Sequence, residues 1–368
     1  MTVNPSSLLR LLLLACCAVL LASCSGGKES LRSNRETKIY PDPPDEPRIQ
    51  YLTSFTTEAE FRGVTQDGFL SSVLGEEEGK IRLLRPYGIA SHAGTLYICD
   101  ARVHGLVVAD LEKRSMITFQ PEGRGKLVVP INCAVDSTGT VFVTDTERKQ
   151  VVVFSKTLEF RGIIGDGREG KPVDVQAVDG EVWVLDLQQH RIEIHSGGDY
   201  SFLRSFPDTT DSNAPGYLFS PTNMCISNDR VYVSDIGDTR VKVYDRKGTF
   251  LHSIGTHGNQ FGQFVRPKGI AVDRNEILYV VDAAFENVQL FDKEGKMLMF
   301  FGGPYRTPGD MYLPVKVAVD YDNVYKFSKY IDPAYSISHL IYVTNQVGPD
   351  LVSVYGFIRA VNSESKAK

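Results

Sequence analysis

Six residues that close short apolar stretches are the first candidates for chemistry: Asp100, Asp145, Asp186, Asp235, Asp282 and, in the same place, Asn345. Five carboxylates gathered in one ring could hold a hard cation, since such ions take oxygen ligands. A structural role is the expectation instead. An Asp at a strand end satisfies the turn that follows it, with Arg191 or Arg240, five residues on, as the charge partner within the same repeat. The seven histidines do not converge in sequence register. His104 and His190 stand four residues after Asp100 and Asp186, and His92 falls in an expected hairpin turn. His195 and His252 lie near strand ends, and His257 lies in a glycine-rich loop. The sequence contains no Gly-x-Ser-x-Gly elbow, P-loop or dinucleotide fingerprint. Without a Cys-x-x-Cys-His it cannot attach c-type haem, and no Cys/His set has zinc-ribbon spacing.

The frame that must position these groups is bounded by composition. The chain has 368 residues, 42% of them hydrophobic, and a net charge of −5. That is enough apolar mass for a full core, so global disorder is excluded. Mild acidity without a basic stripe argues against nucleic acid as a partner.

Internal repetition decides the architecture. One strand pattern recurs as Leu96-Tyr-Ile-Cys-Asp100, Val141-Phe-Val-Thr-Asp145, Val182-Trp-Val-Leu-Asp186, Val231-Tyr-Val-Ser-Asp235, Leu278-Tyr-Val-Val-Asp282 and Ile341-Tyr-Val-Thr-Asn345. Six residues after each closing residue an aliphatic opens a second alternating strand, as in Val241-Lys-Val-Tyr-Asp245. Ahead of each unit stands a proline, Pro86, Pro130, Pro172, Pro221, Pro267 or Pro314, followed by another short apolar run. Two-residue alternation broken by Gly, Asp and Asn means strands and tight turns. Four strands per repeat of roughly forty-five residues cannot bury both faces alone, so the sheets stack around an axis. The expected fold is all-β: a six-bladed β-propeller of four-stranded antiparallel blades. The sixth unit runs out of chain after Ala360, while Arg48-Ile-Gln-Tyr-Leu-Thr-Ser-Phe55 resembles an outer strand. The N-terminal segment is therefore expected to close blade six and cover its edge.

Before the repeats come Arg10, the apolar run from Leu11 to Leu21, and then Leu21-Ala22-Ser23-Cys24-Ser25-Gly26-Gly27. The run is short for a membrane span and reads as a secretion signal. Leu, two small residues and a cysteine resemble the bacterial lipobox, which implies diacylation of Cys24 after loss of residues 1–23. Ser25 resembles the sorting pattern of outer-membrane lipoproteins. Residues 24–47, polar and then proline-rich at Pro41, Pro43, Pro44 and Pro47, are expected to tether the domain. The propeller is assigned to residues 48–360 and a tail to 361–368. Cys99, Cys133 and Cys225 remain in an oxidising compartment, an odd set expected to be free and buried within strands.

Gly255-Thr-His-Gly-Asn-Gln-Phe-Gly-Gln-Phe264-Val-Arg-Pro267-Lys-Gly-Ile-Ala-Val-Asp273 closely resembles an NHL repeat, with its glycine-rich turn, Gly-x-Phe, proline and Gly-Ile-Ala-Val-Asp. Its continuation appears in Asp186-Leu-Gln-Gln-His190-Arg191-Ile and Asp235-Ile-Gly-Asp-Thr-Arg240-Val. The chain from about residue 48 to 360 resembles the six-bladed NHL-type lipoproteins of bacterial envelopes. Relatives of that fold include binding scaffolds, lactonases and lyases, so the fold alone does not choose a function. The amidating lyases hold metal with histidines at the channel mouth, and no comparable trio stands at matching positions here.

In such a fold the residues just after each proline begin the innermost strand. Tyr87, Asn132, Asp174, Asn223, Lys268 and Lys316 are therefore candidates for a polar ring at the channel mouth, able to bind a small polar solute. No cofactor is expected, with Ca or Zn in the channel the open alternative. The second candidate is an insertion in unit six, between Asp320 and Leu340, rich in aromatics. Val324, Phe327 and Ile331 have helical spacing, so a helix over one mouth is expected; Tyr325, Phe327, Tyr330 and Tyr335 are the candidate partner contacts. The expected function is a lipid-anchored scaffold that recognises an envelope protein or a polysaccharide. A propeller hydrolase or lyase, lactonase-like or amidating-lyase-like, is the alternative.

Overall fold

A computed structural model describes residues 38–42, 44–63 and 81–361. Six antiparallel sheets follow one another along the chain. Blade one comprises Pro86–His92, Thr95–Asp100, Gly105–Asp110 and Ser115–Phe119, and blade four Pro221–Ser227, Arg230–Asp235, Arg240–Asp245 and Phe250–Ile254. In every blade the proline is the first residue of the inner strand, a position where its missing N–H breaks no ladder. Strand order is sequential in blades one to five.

Blade six is assembled from both ends of the propeller sequence. Pro314–Asp320, Tyr335–Asn345 and Val352–Ala360 are joined by Ile49–Phe55 as the fourth strand, with Ile49 opposite Phe357 and Phe55 opposite Val352. This is the expected closure. A fifth strand, Ile39–Tyr40, adds to the outside, so packing begins ahead of residue 48. Tyr40 is buried there, and its hydroxyl donates to the Gly309 carbonyl at 2.8 Å.

The core is divided among six seams between blades. The aromatic in the second position of each repeated pattern explains why the blades stack. Tyr97, Phe142, Trp183, Tyr232, Tyr279 and Tyr342 each lie in the cluster shared with the following blade, and the last of them closes the seam with blade one. Burying one such ring removes roughly 150–250 Å² from water, so each seam carries its own anchor. No helix of the described residues is long and apolar enough to cross a membrane.

The thiols of Cys99, Cys133 and Cys225 are free; the first two are buried and Cys225 is partly covered. Cys24, the signal, the tether up to Thr37 and residues 362–368 lie outside the described residues.

Candidate functional site

The closing carboxylates hold backbone. Asp100 accepts N–H groups from Leu84, Arg85, Arg102 and Val103. Asp145, Asp235 and Asp282 repeat the arrangement, each binding the two residues before the proline as well as the turn behind. Asp186 accepts from Lys171, Gln188 and Gln189. Hydrogen bonds to a charged acceptor contribute about 1.5–3 kcal/mol each, so in blades one to five the end is pinned by one carboxylate. The expected arginine partners are elsewhere: Arg191 pairs with Glu193 at 2.5 Å and Arg240 with Asp238 at 3.4 Å. The fourth residue after the Asp explains the two histidines. His104 and His190 have φ of 54° and 57°, as Lys149, Thr239 and Glu286 do in their blades, so they are turn residues.

Four of the six mouth candidates meet at the axis. Lys316 Nζ lies 2.8 Å from Asp174 Oδ2 and donates to Asn223 Oδ1 at 3.1 Å. Asn132 Nδ2 donates to the Val173 carbonyl at 2.7 Å and, more weakly, to Asn223 Oδ1 at 3.4 Å. The N–H groups of Val175 and Met224 complete the Asp174 carboxylate, both at 2.9 Å. All four side chains are buried. A carboxylate paired with an ammonium in a low-dielectric setting has its charge met. Lys316 thus occupies the place a cation would take beside Asp174.

Tyr87 and Lys268 fall outside this network because they stand one residue nearer the proline than the other four. Their blades carry Gly88 and Gly269 in the axial register, where neighbouring inner strands approach closely. A Cβ on Gly88 would come within 2.6 Å of the Asn132 Cα, and one on Gly269 within 2.5 Å of the Lys316 Cα. Glycine therefore permits the crowded ring. Lys268 is half-buried, forms no ion pair among the described residues, and its ammonium is pushed down by burial and by Arg266. The Arg85 guanidinium lies 5.9 Å from the Tyr87 ring.

The insertion contains no α-helix. It forms two 3-10 turns, Val324–Lys326 and Ser328–Tyr330, without side-chain caps. It bridges blade six to blade one: Arg114 Nη2 donates to the Lys326 carbonyl at 2.7 Å, and Gln50 Nε2 donates to that of Tyr330 at 3.0 Å. Phe327 is buried against Tyr342 with Arg114 over its ring. Tyr330 and Tyr335 are half-buried, and Tyr325 is 65% exposed.

Sequence reasoning passed over the residues just ahead of the prolines, whose backbone the closing side chains hold. It also passed over His339, which is fully buried with its Nε2 3.0 Å from the Tyr279 hydroxyl. The signal for the first set was available: Arg85-Pro-Tyr-Gly-Ile-Ala90 and Arg266-Pro-Lys-Gly-Ile-Ala271 are near duplicates on the two blades that flank blade six.

Comparison with known proteins supports the architecture. A sequence family described as a 6-bladed beta-propeller, DUF5128, matches residues 207–299, which span blade four and most of blade five. No curated protein matches the chain. Among solved structures, a protein of unknown function from Bacteroides thetaiotaomicron is similar at 13% identity, with a TM-score of 0.56, over 76% of this chain and 71% of that one. Virginiamycin B lyase from Staphylococcus aureus is similar at 14% identity and a TM-score of 0.51, over 74% of this chain and 95% of its own. A gluconolactonase from Xanthomonas campestris is similar at 15% identity and a TM-score of 0.51, over 84% and 89%. At such identities the likeness is one of fold.

Proposed function

We propose that the protein is a lipid-anchored scaffold of the bacterial envelope, tethered through Cys24 and probing its surroundings with a rigid NHL-type propeller. The observation that carries the recognition reading is the saturation of the axis. The polar groups that converge there from blades two, three, four and six bind one another, so the ring is locked rather than poised to react. A preorganised ring that presents loops from all its blades binds without a large ordering cost. The resemblance to envelope lipoproteins supports the address, and a protein or polysaccharide of that compartment is the expected partner, reached without metal or cofactor.

The test has two parts. Metabolic labelling with palmitate and membrane fractionation should place the wild-type chain in the outer membrane and release the Cys24→Ser chain. Purified protein, with its metal content measured, should show no lactone hydrolysis or lyase turnover. Turnover abolished by Lys268→Ala or by removal of a stoichiometric metal would overturn the scaffold reading in favour of a propeller hydrolase or lyase.

A further inference from the structure

One end of the ring carries an ordered set of exposed apolar residues. Leu84, Val128, Phe219, Val265 and Tyr312 each stand two positions before the proline of their blade, and each is 37–47% exposed. Blade three has Gly170 in that place. The exposure is not a loose loop. The backbone N–H of each is held by the closing side chain of its own blade, at 2.6 Å for Leu84 and Val128, 2.7 Å for Phe219, 2.8 Å for Val265 and 3.2 Å for Tyr312. Fixed apolar groups repeated around a ring are a set of preplaced anchor points that a partner can cover.

The next position adds charge on alternate blades. Arg85, Lys171 and Arg266 precede the prolines of blades one, three and five, are exposed, and make no ion pair among the described residues. The closing carboxylates form no ion pair with these side chains; Asp100, Asp186 and Asp282 bind the backbone N–H groups of the same residues. Between them stand Val129, Ser220 and Leu313. Unpaired cations interleaved with fixed apolar groups call for a partner that brings carboxylates and apolar side chains together.

We infer that this end of the propeller is a docking face for a protein segment rich in apolar and acidic side chains. The inference rests on the recognition reading and narrows it to one face and one partner chemistry. A flat anionic bilayer, which must meet the whole face at once, fits less well than a narrow segment that can follow the cations, because the loops at the same end also expose Glu122, Glu147, Asp166 and Glu169.

A random dodecapeptide library panned on the purified full chain tests this, with enriched peptides titrated by fluorescence anisotropy. Enrichment of Asp and Glu together with Leu, Phe or Trp is expected. The combined variant Arg85→Ala, Lys171→Ala, Arg266→Ala should weaken those peptides at least tenfold, as should Leu84→Ser, Val265→Ser, Tyr312→Ser. Should either variant fail to fold, the single change Arg266→Glu, at an exposed side chain, should still weaken acidic peptides severalfold and favour basic ones. Tyr325→Ser should leave the Kd unchanged. Enrichment of basic peptides, no enrichment, or equal binding by the variants would overturn the inference. Loss of binding through Tyr325→Ser alone would overturn it while leaving recognition intact. Adsorption of the Cys24→Ser chain to phosphatidylglycerol vesicles through these same cations, with no peptide enriched, would overturn it in favour of a lipid surface.

Discussion

Lys316 Nζ sits 2.8 Å from Asp174 Oδ2, and the pair joins blade six to blade three, which stand opposite each other in the ring. Its energetics are asymmetric. Removing two charges from water costs nearly what their attraction returns, whereas removing one leaves the other stranded. Lys316→Met should therefore cost about 3–5 kcal/mol. The double change Lys316→Met, Asp174→Leu should recover most of it. Urea denaturation of the wild type and both variants measures the difference; a harmless single change would mean that Asp174 is sustained by its backbone donors alone.

The strand from the N-terminal side is a structural member of blade six. Ile49, Leu52 and Phe55 are all buried. At about 1.5–3 kcal/mol for each fully buried apolar side chain, their loss approaches the total stability of an ordinary domain. Deleting residues 48–56 should abolish a cooperative transition or lower Tm steeply. An unchanged calorimetric profile would mean that the remaining three strands suffice.

The aromatic insertion should divide when its residues are changed singly. Phe327→Ser empties a buried site against Tyr342 and should cost about 3–5 kcal/mol. Tyr325→Ser alters an exposed ring and should stay within about 0.5 kcal/mol. If both melt alike, the insertion is not packed as described.

Acid should weaken the seam between blades five and six through His339. Its ring stacks on Phe357 at 4.9 Å, with Tyr279 and Tyr321 beside it, Asp273 Oδ2 3.9 Å from Nε2, and Arg274 and Arg359 nearby. Burial, helped by the two arginines, pushes its pKa down to about 4. The unfolded chain takes the proton first as pH falls, so stability is full above about 6.5 and is lost progressively down to about 4, by roughly 3 kcal/mol. His339→Phe should flatten that part of the stability curve. Parallel curves for variant and wild type between pH 7 and 4 would show that another group sets the dependence.

The strands were legible because each obeys a rule that needs no tertiary information. Leu278-Tyr-Val-Val-Asp282 alternates, a proline stands ahead of it, and its turn is polar. Even closure could be read, since Arg48 to Phe55 has the outer-strand pattern without a partner nearby in sequence. The mouth was read one residue out at Tyr87 and Lys268 because the axial position of those two blades is a glycine, Gly88 or Gly269, with no side chain to mark it, so the polar residue beside it stood in its place. The helix expected from Val324, Phe327 and Ile331 failed for a different reason. The segment is short, lacks a capping side chain, and meets Pro333 two residues later, so packing of Phe327 dictated tight turns instead. Which groups share a charge across the axis could not be read at all, because Lys316 and Asp174 are joined only by ring closure.

Blade six also sets an order of events for synthesis. Ile49 is among the first propeller residues to emerge, yet its partner Phe357 follows about three hundred residues later. Until then one strand edge has no mate, and closing so long a loop is entropically slow. A chain emerging from the ribosome N-terminus first would present five complete blades before the ring could shut. The last strand to arrive therefore acts as the latch, and a factor that shields the Ile49–Phe55 edge during synthesis would raise the yield of closed rings without touching the finished protein.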